Sequence, residues 1–187
     1  SDGVQRALLK LSGEFLAGQT WSNFMDIDVF PNSIEYWGPP GMVFWRNIQL
    51  RWTPLRDKYS SFSVALEQPS AAIDQGKGSP VDPALGFNGK TQFPDLTARW
   101  RMDADWGHYQ VAGILRSVGY ESSAAGGDPS GSETGYGINL SGNLKTGSKG
   151  TVKAQLAYGD AIASYFNDGG IDIAASGTGA GPETLTI

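Results

Sequence analysis

The chain of 187 residues contains no cysteine. That absence fits an oxidising or envelope compartment, where a free thiol is a liability. No stretch approaches the roughly 18 consecutive apolar residues that a membrane-crossing helix needs, which excludes a helical membrane protein but not a β-barrel. Positive charge is in deficit: 14 Lys+Arg face 19 Asp+Glu, a net charge of -5, and the pI is about 4.8. A nucleic-acid partner is therefore not expected, because such a surface is basic overall. Catalytic signatures are missing too. His108 is the single histidine, and without a cysteine or a G-x-S-x-G elbow neither a serine nor a cysteine triad has a foundation, so the chain is not expected to be an enzyme. Ser1-Asp2-Gly3 lacks the charged and apolar regions of a signal peptide, which points to a cleaved leader or to a segment of a longer chain.

What is present is glycine (26), proline (10) and aromatic residues (6 Trp, 7 Tyr, 8 Phe), with a mildly polar mean hydropathy of -0.27. The length suits one ordinary domain. Between Pro94 and Trp106 the sequence PDLTARWRMDADW sets Leu96, Ala98, Trp100, Met102, Ala104 and Trp106 on one side of an extended strand, with Thr97, Arg99, Arg101, Asp103 and Asp105 on the other. Lipid on one side and a water-filled lumen on the other demand that division.

The same alternation recurs in six further segments. Residues 7–19 put Leu9, Leu11, Phe15 and Ala17 opposite Lys10, Ser12 and Glu14. Residues 43–53 put Phe44, Ile48, Leu50 and Trp52 opposite Asn47, Gln49, Arg51 and Thr53. Residues 60–68, 108–120, 134–146 and 151–159 repeat the pattern, with Glu67, Arg116, Lys145 and Lys153 among the polar positions. Seven strands result, each about the 9 to 11 residues of a tilted membrane crossing or slightly longer. Their connections alternate between tight turns (55–58, 106–107, 146–150) and long Gly/Pro-rich loops (20–42, 69–93, 121–133 and 160–187). Barrels of the outer membrane have that asymmetry. Aromatic residues near strand ends, among them Trp45, Trp52, Trp106, Tyr136 and Tyr158, suit interfacial girdles. The predicted fold is all-β, an antiparallel up-and-down transmembrane β-barrel, with residues 1–187 forming one segment of a larger barrel.

The segment GQTWSNFMDIDVFPNSIEYWGPPGMVFWRNIQLRWTP at 18–54 resembles the DcaP-like outer-membrane porins of Gram-negative bacteria. FSVALEQP at 62–69, PDLTARWRMDADWGHYQVAGILRSVGYE at 94–121, GYGINLSGNLKTG at 135–147 and AQLAYGDAIASYF at 154–166 continue the family's succession of elements. The resemblance implies a homotrimeric diffusion channel in the outer membrane, embedded in its lipid and favouring small organic anions such as dicarboxylates. It also implies more strands than seven and a terminal strand ending on an aromatic residue, where this chain ends in Thr186-Ile187.

For such a pore the chemistry is electrostatic. The candidate pore-lining residues are Arg51, Arg99, Arg101, Arg116, Lys10, Lys145 and Lys153, with Glu14, Glu67, Asp103 and Asp105 on the same face and able to pair with them across strands. Arg46 shares parity with Phe44 and Ile48 and is expected near the rim, where it can snorkel or a bulge can reset the register. The Trp21–Pro40 loop is long enough to fold inward as a constriction or outward as a trimer latch. Its Asp26-x-Asp28 pair lacks the further oxygen ligands of an EF-type site, so no metal and no cofactor is expected. Gly177-x-Gly179-x-Gly181 reads as flexible loop. The rival reading is a secreted soluble β-sandwich that binds carbohydrate through Trp21, Trp37, Trp45 and Trp52. A barrel-shaped enzyme is a third, and it requires a polar active-site cluster that the sequence does not display.

Overall fold

A computed structural model describes residues 9–11, 15–34, 41–74, 87–91, 93–122, 130–147, 149–175 and 182–184. The chain is all-β. In order it forms β1 (Leu9–Leu11), β2 (Phe15–Trp21), β3 (Arg46–Arg56), β4 (Ser60–Glu67), β5 (Phe87–Gly89), β6 (Asp95–Ala104), β7 (Gly107–Ser122), β8 (Ser130–Thr146), β9 (Gly150–Asp160), β10 (Ile173–Ala175) and β11 (Pro182–Thr184). Short 3-10 turns at Ile27–Val29 and Ala163–Tyr165 are the helical elements among the described residues.

Seven of these strands (β2, β3, β4, β6, β7, β8 and β9) coincide with the seven expected, and together with β1 they form an antiparallel meander in the order β1-β2-β3-β4-β6-β7-β8-β9, with β5 beside β7. β1 and β9, at the two ends of that order, do not pair with each other, so the sheet is open among the described residues. A separate pair joins β10 to β11.

Four boundaries differ from expectation for physical reasons. Within the strand expected over 7–19, the described residues form two strands, Leu9–Leu11 and Phe15–Trp21, with Leu11 paired to Phe15. β3 starts at Arg46, so Phe44 and Trp45 belong to the segment that enters it and not to its exposed apolar face. The loop expected at 121–133 shrinks because the β7–β8 ladder continues to Glu121↔Ser130; its serines and glycines pair as strand without carrying an apolar alternation. Residues 161–175 are packed rather than loose, since Ala161, Ile162, Ala163, Tyr165, Phe166 and Ile173 are all buried.

The two faces of the sheet have opposite character, and the apolar one is outside. Leu50, Leu66, Leu96, Leu115 and Tyr136 form one continuous cross-strand row, and every member is exposed. Trp100, Val111, Leu140 and Leu156 form a second exposed row. The alternate positions Asn47, Gln49, Ser63, Thr97, Gln110, Asn139 and Ser141 are buried. An ordinary soluble sheet has this the other way round.

What covers the polar face is the chain itself. Residues 22–34, here called the strap, and residues 41–45 lie on it together with 161–174, and Phe24, Met25, Phe30, Val43, Ile162, Tyr165 and Phe166 form a core with Ala112 and Ile114 of β7. The strap thus takes the inward of the two arrangements open to the Trp21–Pro40 loop; residues 35–40 lie outside the described residues. At the opposite end, the tight turn after β6 needs Gly107: its φ is +142°, and a Cβ there would stand 2.1 Å from the Asn143 carbonyl oxygen.

Candidate functional site

The strap has no strand partner along most of its length, so its carbonyls need donors from elsewhere. Side chains of the sheet supply them. Gln49 Nε2 donates to the carbonyl of Trp21, the β2 residue that leads into the strap (3.0 Å), Asn139 Nδ2 to that of Phe24 (2.8 Å) and Gln110 Nε2 to that of Met25 (3.1 Å). At the far end Lys153 Nζ donates to the Phe30 carbonyl (2.6 Å) and to Asn32 Oδ1 (3.1 Å). These donors explain why amide side chains occupy buried positions of the face.

Three carboxylates anchor the strap and the 161–174 segment. Glu67, fully buried, accepts from the Asn23 backbone N–H (2.7 Å), Thr97 Oγ1 (2.7 Å), Asn47 Nδ2 (2.8 Å) and the Tyr165 hydroxyl (3.4 Å). Asp95 accepts from Arg116 Nε (3.0 Å) and the Tyr165 hydroxyl (2.9 Å). Burial, and then the charges of Glu67 and Asp95, hold the Tyr165 phenol well above its ordinary pKa, so it stays a donor. Asp26, near the tight-turn end, accepts from Ser141 Oγ (2.7 Å) and stands 2.7 Å from His108 Nε2 and 3.4 Å from Arg101 Nη1. Burial alone would raise the Asp26 pKa, but hydrogen bonds from His108 and Ser141 and the charges of His108 and Arg101 prevail and hold it below the usual carboxylate range.

Several expected pore-lining residues take structural roles. Arg116 is closed off from solvent: it pairs with Asp95 and with Asp172 (3.1 Å), donates to the carbonyls of Ala161 and Ser70, and stacks 5.0 Å from the Tyr165 ring. Glu67 is sealed beneath the strap. Asp105 follows the end of β6 and belongs to the turn, where its carbonyl accepts from Lys145 Nζ (2.9 Å). Lys145 is exposed and Lys153 holds the strap. The backbone of Lys10 lies in β1, while its side chain and all of Glu14 fall outside the described residues. Arg51 donates to Gln49 Oε1 (2.9 Å) and the Trp21 carbonyl (2.6 Å). Arg46 packs its guanidinium 5.6 Å from the Trp21 ring.

The structure gathers Arg99, Arg101 and Asp103 with Arg56, Asp28 and Ser61 around a cavity of about 410 Å³ at the tight-turn end of the face. Simple alternation would turn Arg56 outward. A bulge between Trp52 and Leu55 resets the register, so that Arg56 pairs with Ser61 on the polar side and Leu55 is exposed. Pro54 within β3 was the signal available for it.

Asp26, Asp28 and His108 bring one ligand atom each within 4.8 Å of one another. The guanidinium of Arg101 already supplies positive charge there, 2.7 Å from Asp28 and 2.7 Å from Asp103. Ser141, Asp26 and His108 do not form a nucleophile–base pair either, because the carboxylate stands between the serine and the imidazole.

No family model matches this chain, and neither a curated protein nor a solved structure matches it significantly. Its own geometry therefore carries the functional reading.

Proposed function

We propose that the chain is part of the wall of an outer-membrane diffusion pore for small anions, with further strands closing the barrel, three copies forming the working unit and a Gram-negative outer membrane as its location. The observation that carries this reading is the inverted division of the sheet: exposed rows of leucine, tryptophan and valine on one side, and buried or lumen-type polar residues on the other. The resemblance of 18–54 and the later segments to DcaP-like porins points the same way. Arg56 and Arg99 at the cavity give the inner wall local positive character despite the net charge of -5.

Transport on this reading is passive. Guanidinium groups attract an anion and release it, and the strap narrows the route. The sugar-binding alternative draws less support. Trp21 packs on Phe44 at 5.4 Å and Trp45 on Tyr165 at 6.0 Å, both half-buried, Trp52 stands among the exposed apolar residues, and Trp37 lies outside the described residues. The test is reconstitution of the complete protein into planar lipid bilayers under a potassium chloride gradient. An ion current whose reversal potential favours chloride supports the proposal. A protein that stays dispersed without detergent and never conducts refutes it.

A further inference from the structure

The exposed apolar face carries a notch of about 460 Å³ at its tight-turn end. Its floor is made by two small residues that pair across β8 and β9, Gly142 and Ala154. Leu140 and Leu144 of β8 and Val152 and Leu156 of β9 wall it, and Trp106 of the β6–β7 turn lines it too. Glycine is required at 142, because a Cβ there would come within 2.6 Å of the His108 carbonyl oxygen across the β7–β8 ladder. The cross-strand row through the floor runs Met102, Tyr109, Gly142, Ala154, and its one ring leaves the space unfilled. The Tyr109 hydroxyl donates to Met102 Sδ (2.9 Å) on β6, and the ring stacks on Trp106 at 6.2 Å. Leu140 and Leu144 lie six and two residues before the end of β8, so the notch follows the strand for about 14 Å, within the half of a hydrocarbon layer that adjoins the tight turns.

We propose that this notch seats one acyl chain of an anionic glycerophospholipid from the leaflet on the tight-turn side, with its phosphate at the β8–β9 turn. The inference rests on the pore-wall reading and adds to it one lipid held in place, where the rest of the face meets lipid only as solvent. A walled groove touches a hydrocarbon chain on several sides, and a flat wall touches it on one. Charge selects the head group. Lys145 and Lys149 are both exposed at that turn and make no ion pair among the described residues. Lys145 commits one N–H to the Asp105 carbonyl and keeps two. Against the carboxylate of Asp105 on the neighbouring turn, the two lysines leave one surplus positive charge, although the whole chain carries -5. The amphipathic ring of Trp106 suits the level between head group and chain.

Tryptophan fluorescence of the complete protein in phosphatidylcholine vesicles tests it, with a minor fraction of the lipid replaced by chain-brominated phosphatidylglycerol or, separately, by chain-brominated phosphatidylcholine. The Trp106 component, taken as the difference from Trp106→Phe, should be quenched by the glycerol lipid at about one-fifth of the amount needed of the choline lipid, the preference that one net charge beside a phosphate gives. Ala154→Leu fills the floor from an exposed strand position and should abolish that preference. So should the double change Lys145→Gln with Lys149→Gln, while Leu115→Ala, toward the long-loop end of the same face, should leave it intact. Equal quenching by the two lipids, or a preference that survives Ala154→Leu or the lysine changes, overturns the site and leaves the pore wall standing. An Ala154→Leu protein that keeps the preference but loses its oligomer assigns the notch to a second copy and overturns the lipid. Quenching of no exposed tryptophan by either lipid removes the pore wall, and the site with it.

Discussion

Replacing Leu140 with arginine separates a lipid-facing sheet from a water-facing one by the sign and size of a single free-energy change. Leu140 is 42% exposed on the apolar side, between Val111 and Leu156 in the cross-strand row. It lies six residues before Thr146, the last residue of β8. At about 3.4 Å per residue and a strand tilt of about 40°, that places it about 15 Å from the turn, close to the middle of a hydrocarbon layer about 25 to 30 Å thick. An arginine there should cost about 2 to 4 kcal/mol if lipid surrounds it, whereas a surface substitution in water stays within about 0.5 kcal/mol. Leu144, two residues from the same end of the strand, should cost only about 0 to 1 kcal/mol for the same change. The assay is reversible urea unfolding of the complete protein from phospholipid vesicles, followed by tryptophan fluorescence. A Leu140→Arg change near zero, or equal losses at 140 and 144, refutes the assignment of this face to lipid.

Acidification should loosen the strap at Asp26. Because its folded pKa is depressed, its contribution is complete above the unfolded carboxylate pKa and is lost as pH falls through the lower folded value; Trp21 and Trp45 emission, followed from pH 6 downward, reports it. Asp26→Asn should cost about 1 to 3 kcal/mol by leaving His108, Ser141 and Arg101 with a poorer acceptor, and should abolish most of that acid transition; a transition of unchanged size excludes Asp26 as its source. Arg116→Gln should destabilise the fold by about 3 to 5 kcal/mol through stranding Asp95 and Asp172, with no change in bilayer ion selectivity. A shifted reversal potential would return Arg116 to the solute path.

The seven strands and their two faces were legible because one physical requirement, apolar outside and polar inside, repeats every second residue, as in Leu96 through Ala104. Arg99, Arg101 and Glu67 could be sided correctly from that period alone. Arg56 could not, since a bulge shifts parity by a residue and leaves only a proline as its trace. Phe44 differs for a related reason: its parity is counted from a strand that begins only at Arg46. The inward course of the strap was one of two readings, because a polar loop and a strap that borrows donors from glutamine and asparagine have the same composition. Asn139, Gln110 and Ser141 gave no separate signal, and their importance arises from what lies opposite them in space.

The strap leaves the sheet between two neighbouring strands, β2 and β3, yet the donors for Phe24, Met25 and Phe30 come from β7, β8 and β9, more than eighty positions along the chain. Those carbonyls stay with water until the later hairpins are in register. Docking of the strap should therefore follow pairing of the later strands, so that burial of Phe24 reports a fully assembled sheet.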